Sequence, residues 1–134
     1  MLSVVVDTNF LTIPAQFGID IFSESEGLLE GRVEFILLSS ILQEIREKIE
    51  ASPQSKEMRQ FRVALDLSRH CRLVEVDHSL SKLSVDDQLL EYVMSVSGVL
   101  ATNDRELRSR ARAQGVPVIF LRGKKRLAIE GNIE

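Results

Sequence analysis

The chain has 134 residues, 44% hydrophobic and 28% charged, with a formal net charge of −3. That is one domain, residues 1–134, with a sizeable core and an ordinary globular composition. No apolar run approaches the ~18 residues of a membrane span; a strand-like run from Ser3 leaves no room for a signal peptide; and the single cysteine, Cys71, excludes an internal disulfide, so a cytoplasmic protein is expected.

Charge is unevenly spread. Residues 1–100 carry nine Lys/Arg against sixteen Asp/Glu, whereas residues 101–126 carry eight Lys/Arg against Asp104 and Glu106 alone. An acidic body with a basic segment suits a protein that holds metal and touches phosphate; a solvated helix face plus a basic turn is the plainer alternative.

Ser3–Asp7 reads as a buried strand, β-branched and ended by a polar turn. A short turn and a helix near Ile19–Leu29 follow. Val33–Leu38 is a second strand. Ser39 or Ser40 can cap the next helix, which carries Ile41, Leu42, Ile45 and Ile49 on one face. Ala51–Ser55, with Pro53, reads as a loop. Met58, Phe61, Ala64, Leu65 and Leu67 mark a helix ending near His70, and Arg72–Val76 alternates as a strand. Ser84 opens a helix with the stripe Leu89, Leu90, Val93 and Met94, stopped by Gly98. Val99–Ala101 is a short buried strand. Asn103 is expected to cap a basic helix running from Asp104 to about Gln114. Val116–Leu121 is the last clear strand, after which Gly123 turns the chain into a basic tail. Strands alternating with helices predict βαβ units and a parallel sheet covered on both faces.

Four acidic sites edge these apolar runs: Asp7, Glu44, the pair Asp86–Asp87, and Asp104. Carboxylates at the C-terminal ends of parallel strands converge in one crevice. Packed anions repel unless a cation compensates, and hard divalent cations prefer oxygen ligands. Asp7, followed by Thr8 and Asn9, makes an oxygen-rich metal corner or, equally, a turn cap. Glu44 points toward the crevice or pairs with Lys48 in solvent. Asp86 and Asp87 follow Ser84 as in a capping box, and Asp104 lies in a first helical turn. His70, His78 and Cys71 lack the spacing of a zinc site and read as helix-end or core residues.

Taken together, VVVDTNFL, ILQEI, DDQLLEYV, VLATNDREL and GVPVIFL resemble the PIN-domain nucleases over nearly the whole chain. The tail RGKKRLAIEG is also similar to archaeal PIN proteins related to the small-subunit rRNA-processing nuclease, and VapC toxins share the core. The resemblance implies a three-layer α/β/α domain whose acidic pocket binds Mg²⁺ or Mn²⁺ and cleaves single-stranded RNA. It implies Asp7, Asp104 and one of Asp86 and Asp87 as metal ligands, with Glu44 as a further acid. An Asp followed by hydrophobic helix positions fits Asp87, and spacing back from Asp104 tolerates Asp86; the preference falls on Asp87. Asn9, Thr102 and Asn103 would be pocket polar groups. Arg105, Arg108, Arg112, Arg122, Lys124, Lys125 and Arg126 would track RNA phosphates. A homodimer and an antitoxin or ribosome-assembly partner are further expectations. A non-catalytic RNA-binding module on the same fold is the alternative, although an anionic pocket brings such a module nothing. A phosphoacceptor using Asp7 ranks last, because Asn9 stands where a second acid is wanted.

Overall fold

The computed structural model describes residues 1–51 and 56–133. Apart from Ala51, which closes a helix, the loop expected over Ala51–Ser55 lies outside the described residues. Strand β1 (Leu2–Val6) leads through α1 (Thr8–Leu11), α2 (Ile13–Phe17) and α3 (Ile21–Leu29) to β2 (Val33–Leu38). Helices α4 (Ser39–Ala51) and α5 (Lys56–Leu67) lead to β3 (Arg72–Val74). Helix α6 (Val85–Ser95) precedes β4 (Val99–Ala101), and α7 (Arg105–Ala113) precedes β5 (Val118–Arg122) and β6 (Arg126–Glu130).

The continuous apolar runs are explained by burial on both sheet faces. Val4, Val5, Val6, Ile36, Leu38, Val99, Leu100, Ala101, Val118 and Ile119 are all fully buried. Helices α1, α2, α4 and α5 pack together, while α6 lies against β1 and β4 and α7 against β5, in a three-layer α/β/α arrangement. Ile41 and Ile45, one turn apart, anchor α4; Leu107 and Ala111 do the same for α7.

The sheet order is β3-β2-β1-β4-β5-β6. From β1 the chain works outward to β2 and β3, then returns to β4 on the other side of β1. The strand order therefore reverses between β1 and β4, and a crevice opens beyond their carboxyl ends. Register aligns Val6 with Ala101, so Asp7 and Thr102 are the next residues out on each strand. This close pairing depends on Gly98. A Cβ there would sit 2.7 Å from the Ser3 carbonyl oxygen, so no other residue lets the chain enter β4 so tightly against β1.

Three expectations are corrected. The basic tail is a sixth strand, antiparallel to β5, so the sheet is mixed. The turn positions Gly123 and Lys124 have φ of 61° and 60°, the positive pair that a tight hairpin requires, and Lys124 hides that signal by not being glycine. The strand from Arg72 ends at Val74, because the Val76 N–H donates to Ser39 Oγ at 2.9 Å instead of continuing the ladder. Ser39 is therefore already helical and ties α4 to the segment after β3. Finally, Asp104, and not Asn103, caps α7.

Candidate active site

Asp7 follows directly on β1 and is 7% exposed. It caps α1: its Oδ1 accepts the Thr8 N–H at 2.8 Å. Its Oδ2 accepts the Thr102 hydroxyl proton at 2.7 Å. Thr102 is fully buried behind Asp7, so it supports the acid from below and does not face solvent. The Thr102 oxygen in turn accepts the Asp104 N–H at 3.1 Å. Asn9 Oδ1 accepts the Asn103 N–H at 2.8 Å. The two strand ends are thus laced together by Asp7, Asn9 and Thr102, across 95 positions of sequence in the Asp7–Thr102 bond.

Asp104 is held by its own helix. Its Oδ1 accepts the N–H groups of Glu106 at 2.9 Å and Leu107 at 3.1 Å, leaving Oδ2 for other partners. Glu44, half-buried on α4, and Asp86, half-buried in the first turn of α6, complete the set. Asp7, Asn9, Glu44, Asp86 and Asp104 all line one cleft with a cavity volume of about 520 Å³.

Asp87 does not join them. It pairs with Arg110 of α7, which, with its Ser84 contact, holds its carboxyl below the usual range. The helical period explains why Asp86, and not the preferred Asp87, lines the cleft. Leu89, Leu90 and Val93, the buried stripe, lie three, four and seven residues after Asp86, so Asp86 shares the inward face and Asp87 is turned off it. That signal is present in the sequence.

Burial is the main force on the Asp7 carboxyl, pushing its pKa from the ordinary 3.8 to about 6; hydrogen bonds from Thr102 and Thr8 oppose this, and the charges of Glu44 and Asp86 add to it. The Asp86 carboxyl is also raised, by burial first and then by Asp104, against the pull of Arg110. The acids are therefore electrostatically linked: Glu44 and Asp86 to Asp7, and Asp104 to Asp86.

A hard divalent cation fits this donor set. Every donor is oxygen, and the ionised cleft is disfavoured until positive charge enters. Thr8 Oγ1 is buried without a hydrogen-bond partner on the same cleft wall. Among the described residues no three Asp, Glu, His or Cys side chains stand close enough together to hold a metal ion as they are.

The basic residues divide. Arg105, Arg108, Arg122 and Lys124 line a second groove with Asn103 and Phe120. The Arg108 and Arg122 guanidinium carbons stand 4.0 and 5.5 Å from the Phe120 ring centroid. Asn103 and Asp104, adjacent in the chain, connect this groove to the acidic cleft. Lys125 and Arg126 are exposed at the hairpin. Arg112 is elsewhere: its Nη1 donates to the Val116 carbonyl at 3.2 Å and its Nε lies 3.7 Å from Glu130. Its guanidinium therefore ties the end of α7 to the residues before β5 and to β6, away from the second groove.

Sequence reasoning does not select Gln16, Lys48, Gln60 or Phe61, which line the same cleft beyond the acids. Only Lys48 carries a hint, as the residue four positions after Glu44.

A family profile described as "PIN like domain" matches residues 4–124. Ribonuclease VapC9 of Archaeoglobus fulgidus is 32% identical over 126 residues, 94% of this chain and 87% of that protein. Ribonuclease VapC4 of Methanocaldococcus jannaschii is 29% identical over 135 aligned positions, 99% of this chain and 100% of that protein. Among solved structures, the PIN domain endonuclease Utp24 matches with a TM-score of 0.78 at 21% identity, over 98% of this chain and 93% of that one. VapBC2 from Rickettsia felis, bound to a DNA fragment from their promoter, matches with a TM-score of 0.58 at 14% identity, over 81% of this chain and 92% of that one. At those identities the two structures speak to the fold alone.

Proposed function

The chain belongs to the PIN-like domain family, and from that membership we propose that it is a metal-dependent endoribonuclease hydrolysing phosphodiester bonds of single-stranded RNA. One observation carries the proposal: Asp7, Glu44, Asp86 and Asp104, from four separate segments, line one cleft at the point where the strand order reverses. That relatives are named ribonucleases supports RNA as the substrate.

Asp7, Asp86 and Asp104 are the residues that would hold Mg²⁺ or Mn²⁺. When bound, such an ion supplies positive charge to the phosphate and makes a water more acidic. The chain does the rest. Thr102 orients Asp7 by donating its proton to Oδ2. Capping α7 fixes the position of Asp104. Glu44, on α4 and lining the same cleft, would accept a proton through a water. Bare acids repel a phosphodiester, so the cations of the adjoining groove are needed to draw the strand in. Arg105, Arg108, Arg122 and Lys124 serve there, with Lys125 and Arg126 at the hairpin; Arg112 lies outside that groove.

The VapC names of the relatives support a protein antitoxin as partner; a ribosome-assembly partner would replace it if the RNA is an rRNA precursor. Assembly as a homodimer in the cytoplasm completes the proposal. Among the described residues no helix is long and apolar enough to cross a membrane.

The test is incubation with end-labelled single-stranded RNA in Mn²⁺, Mg²⁺ or EDTA. Cleavage is expected only with metal, and Asp7→Asn should lower it by about 100-fold or more. Cleavage that survives EDTA, or full activity of Asp7→Asn at saturating Mn²⁺, refutes the proposal. Light scattering on the purified protein checks the dimer.

A further inference from the structure

The cleft does not end at the acids. Beyond them it runs between α2, α4 and α5, walled by Gln16, Lys48, Gln60 and Phe61. None of these four has a part in the hydrolysis described above. Gln16 Nε2 donates to Gln60 Oε1 at 2.9 Å. Among the described residues that is the one side-chain bond of the pair, which leaves the Gln16 carbonyl oxygen as an acceptor and the Gln60 amide as a donor. Lys48 forms no ion pair among the described residues. Its Nζ lies instead 5.6 Å from the Phe61 ring centroid. The ring is half-buried, anchored in the core on one side and presented to the cleft on the other.

An adjacent donor and acceptor is what the hydrogen-bonding edge of a nucleobase complements. An aromatic face takes a base by stacking, and lysine takes phosphate as a point charge. We infer that this end of the cleft is a nucleotide subsite. The base next to the scissile phosphate stacks on Phe61 with its edge on the Gln16–Gln60 pair. Lys48, on its flexible stem, leaves the ring face to the base and takes the neighbouring phosphate. The subsite rests on the ribonuclease proposal, which supplies the strand it binds.

Fluorescence anisotropy on the Asp7→Asn protein in Mn²⁺ tests it without cleavage. The probes are labelled hexaadenylate, hexauridylate and an abasic ribose-phosphate hexamer. Base-bearing probes should bind at least about fivefold tighter than the abasic one. Phe61→Leu, which retains apolar volume, should cut that margin below about twofold. Gln16→Ala with Gln60→Ala, both at the surface, should remove any difference between the adenylate and uridylate probes. Lys48→Met should weaken all probes alike and reduce the salt slope by about 0.7. A base margin unchanged by both Phe61→Leu and the double glutamine variant overturns the subsite. If the unsubstituted protein cleaves RNA while that margin stays unchanged, the subsite fails and the hydrolysis stands. If it leaves RNA intact yet the margin responds to the variants, the hydrolysis fails and the subsite stands.

Discussion

Replacing Asp7 by Asn should make the metal-free protein more stable at neutral pH while silencing it. Asp7 is 7% exposed, and burial above all lifts its carboxyl from the ordinary 3.8 to about 6. A shift of about two units, at about 1.36 kcal/mol each, is about 3 kcal/mol. The sign follows from linkage. Below pH 3.8 the group is protonated in folded and unfolded chains alike, and nothing is lost. Between pH 3.8 and about 6 the unfolded chain releases a proton that the fold retains, so the loss builds across that window and levels off above it, once the fold too must hold the anion. Asparagine has the same shape, carries no charge and still offers an acceptor to the Thr8 N–H. The variant should therefore match the parent near pH 4 and exceed it by about 3 kcal/mol at pH 8, or about 10 °C in Tm for a chain of this size. Urea denaturation in EDTA from pH 4 to 8 measures the difference, and Mn²⁺ should narrow it by stabilising the parent more than the variant. An Asp7→Asn protein no more stable than the parent at pH 8, with a difference that does not vary with pH, would refute the reasoning. Asp7 would then be a structural cap, with no electrostatic load for a cation to relieve.

Asp86→Asn should lower metal-dependent cleavage by about 100-fold, whereas Asp87→Asn should change it only a few-fold, because Asp87 pairs with Arg110 outside the cleft; single-turnover cleavage separates the two. Gly98→Ala should cost about 2 kcal/mol in urea denaturation, since its Cβ would meet the Ser3 carbonyl oxygen at 2.7 Å. Thr102→Val removes the hydroxyl that lowers the Asp7 pKa, so the acidic limb of the pH–rate profile should move upward. Lys124→Gly relieves a φ of 60° and should raise Tm by a few degrees, at about 1 kcal/mol, while weakening RNA binding slightly.

The sequence by itself determined the alternation of strands and helices as far as β5 and where two of the acids stand. Runs such as VVV and VLA are buried on both faces, which local pattern alone requires of a parallel sheet under two helical layers. Asp7 and Asp104 follow such runs, so their convergence is legible in the chain itself. The tertiary structure decided matters of rotation and long-range pairing. The stripe Leu89, Leu90 and Val93 marks Asp86 as the inward residue of its pair, but only the packing of α6 beside α7 gives Asp87 its partner, Arg110. On α7, Arg108 and Arg112 both reach Glu130 of β6, and Arg108 alone also lies over Phe120. The RLAIE segment alternates weakly, and only pairing with β5 makes it a strand. The Gln16–Gln60 pair joins residues 44 positions apart, which no local pattern foretells. The physical reason is one of range. Periodicity and turn chemistry act over a few residues and are written in the chain, whereas the walls of a cleft depend on how separate helices roll on a common sheet, and that is settled only by packing the whole core.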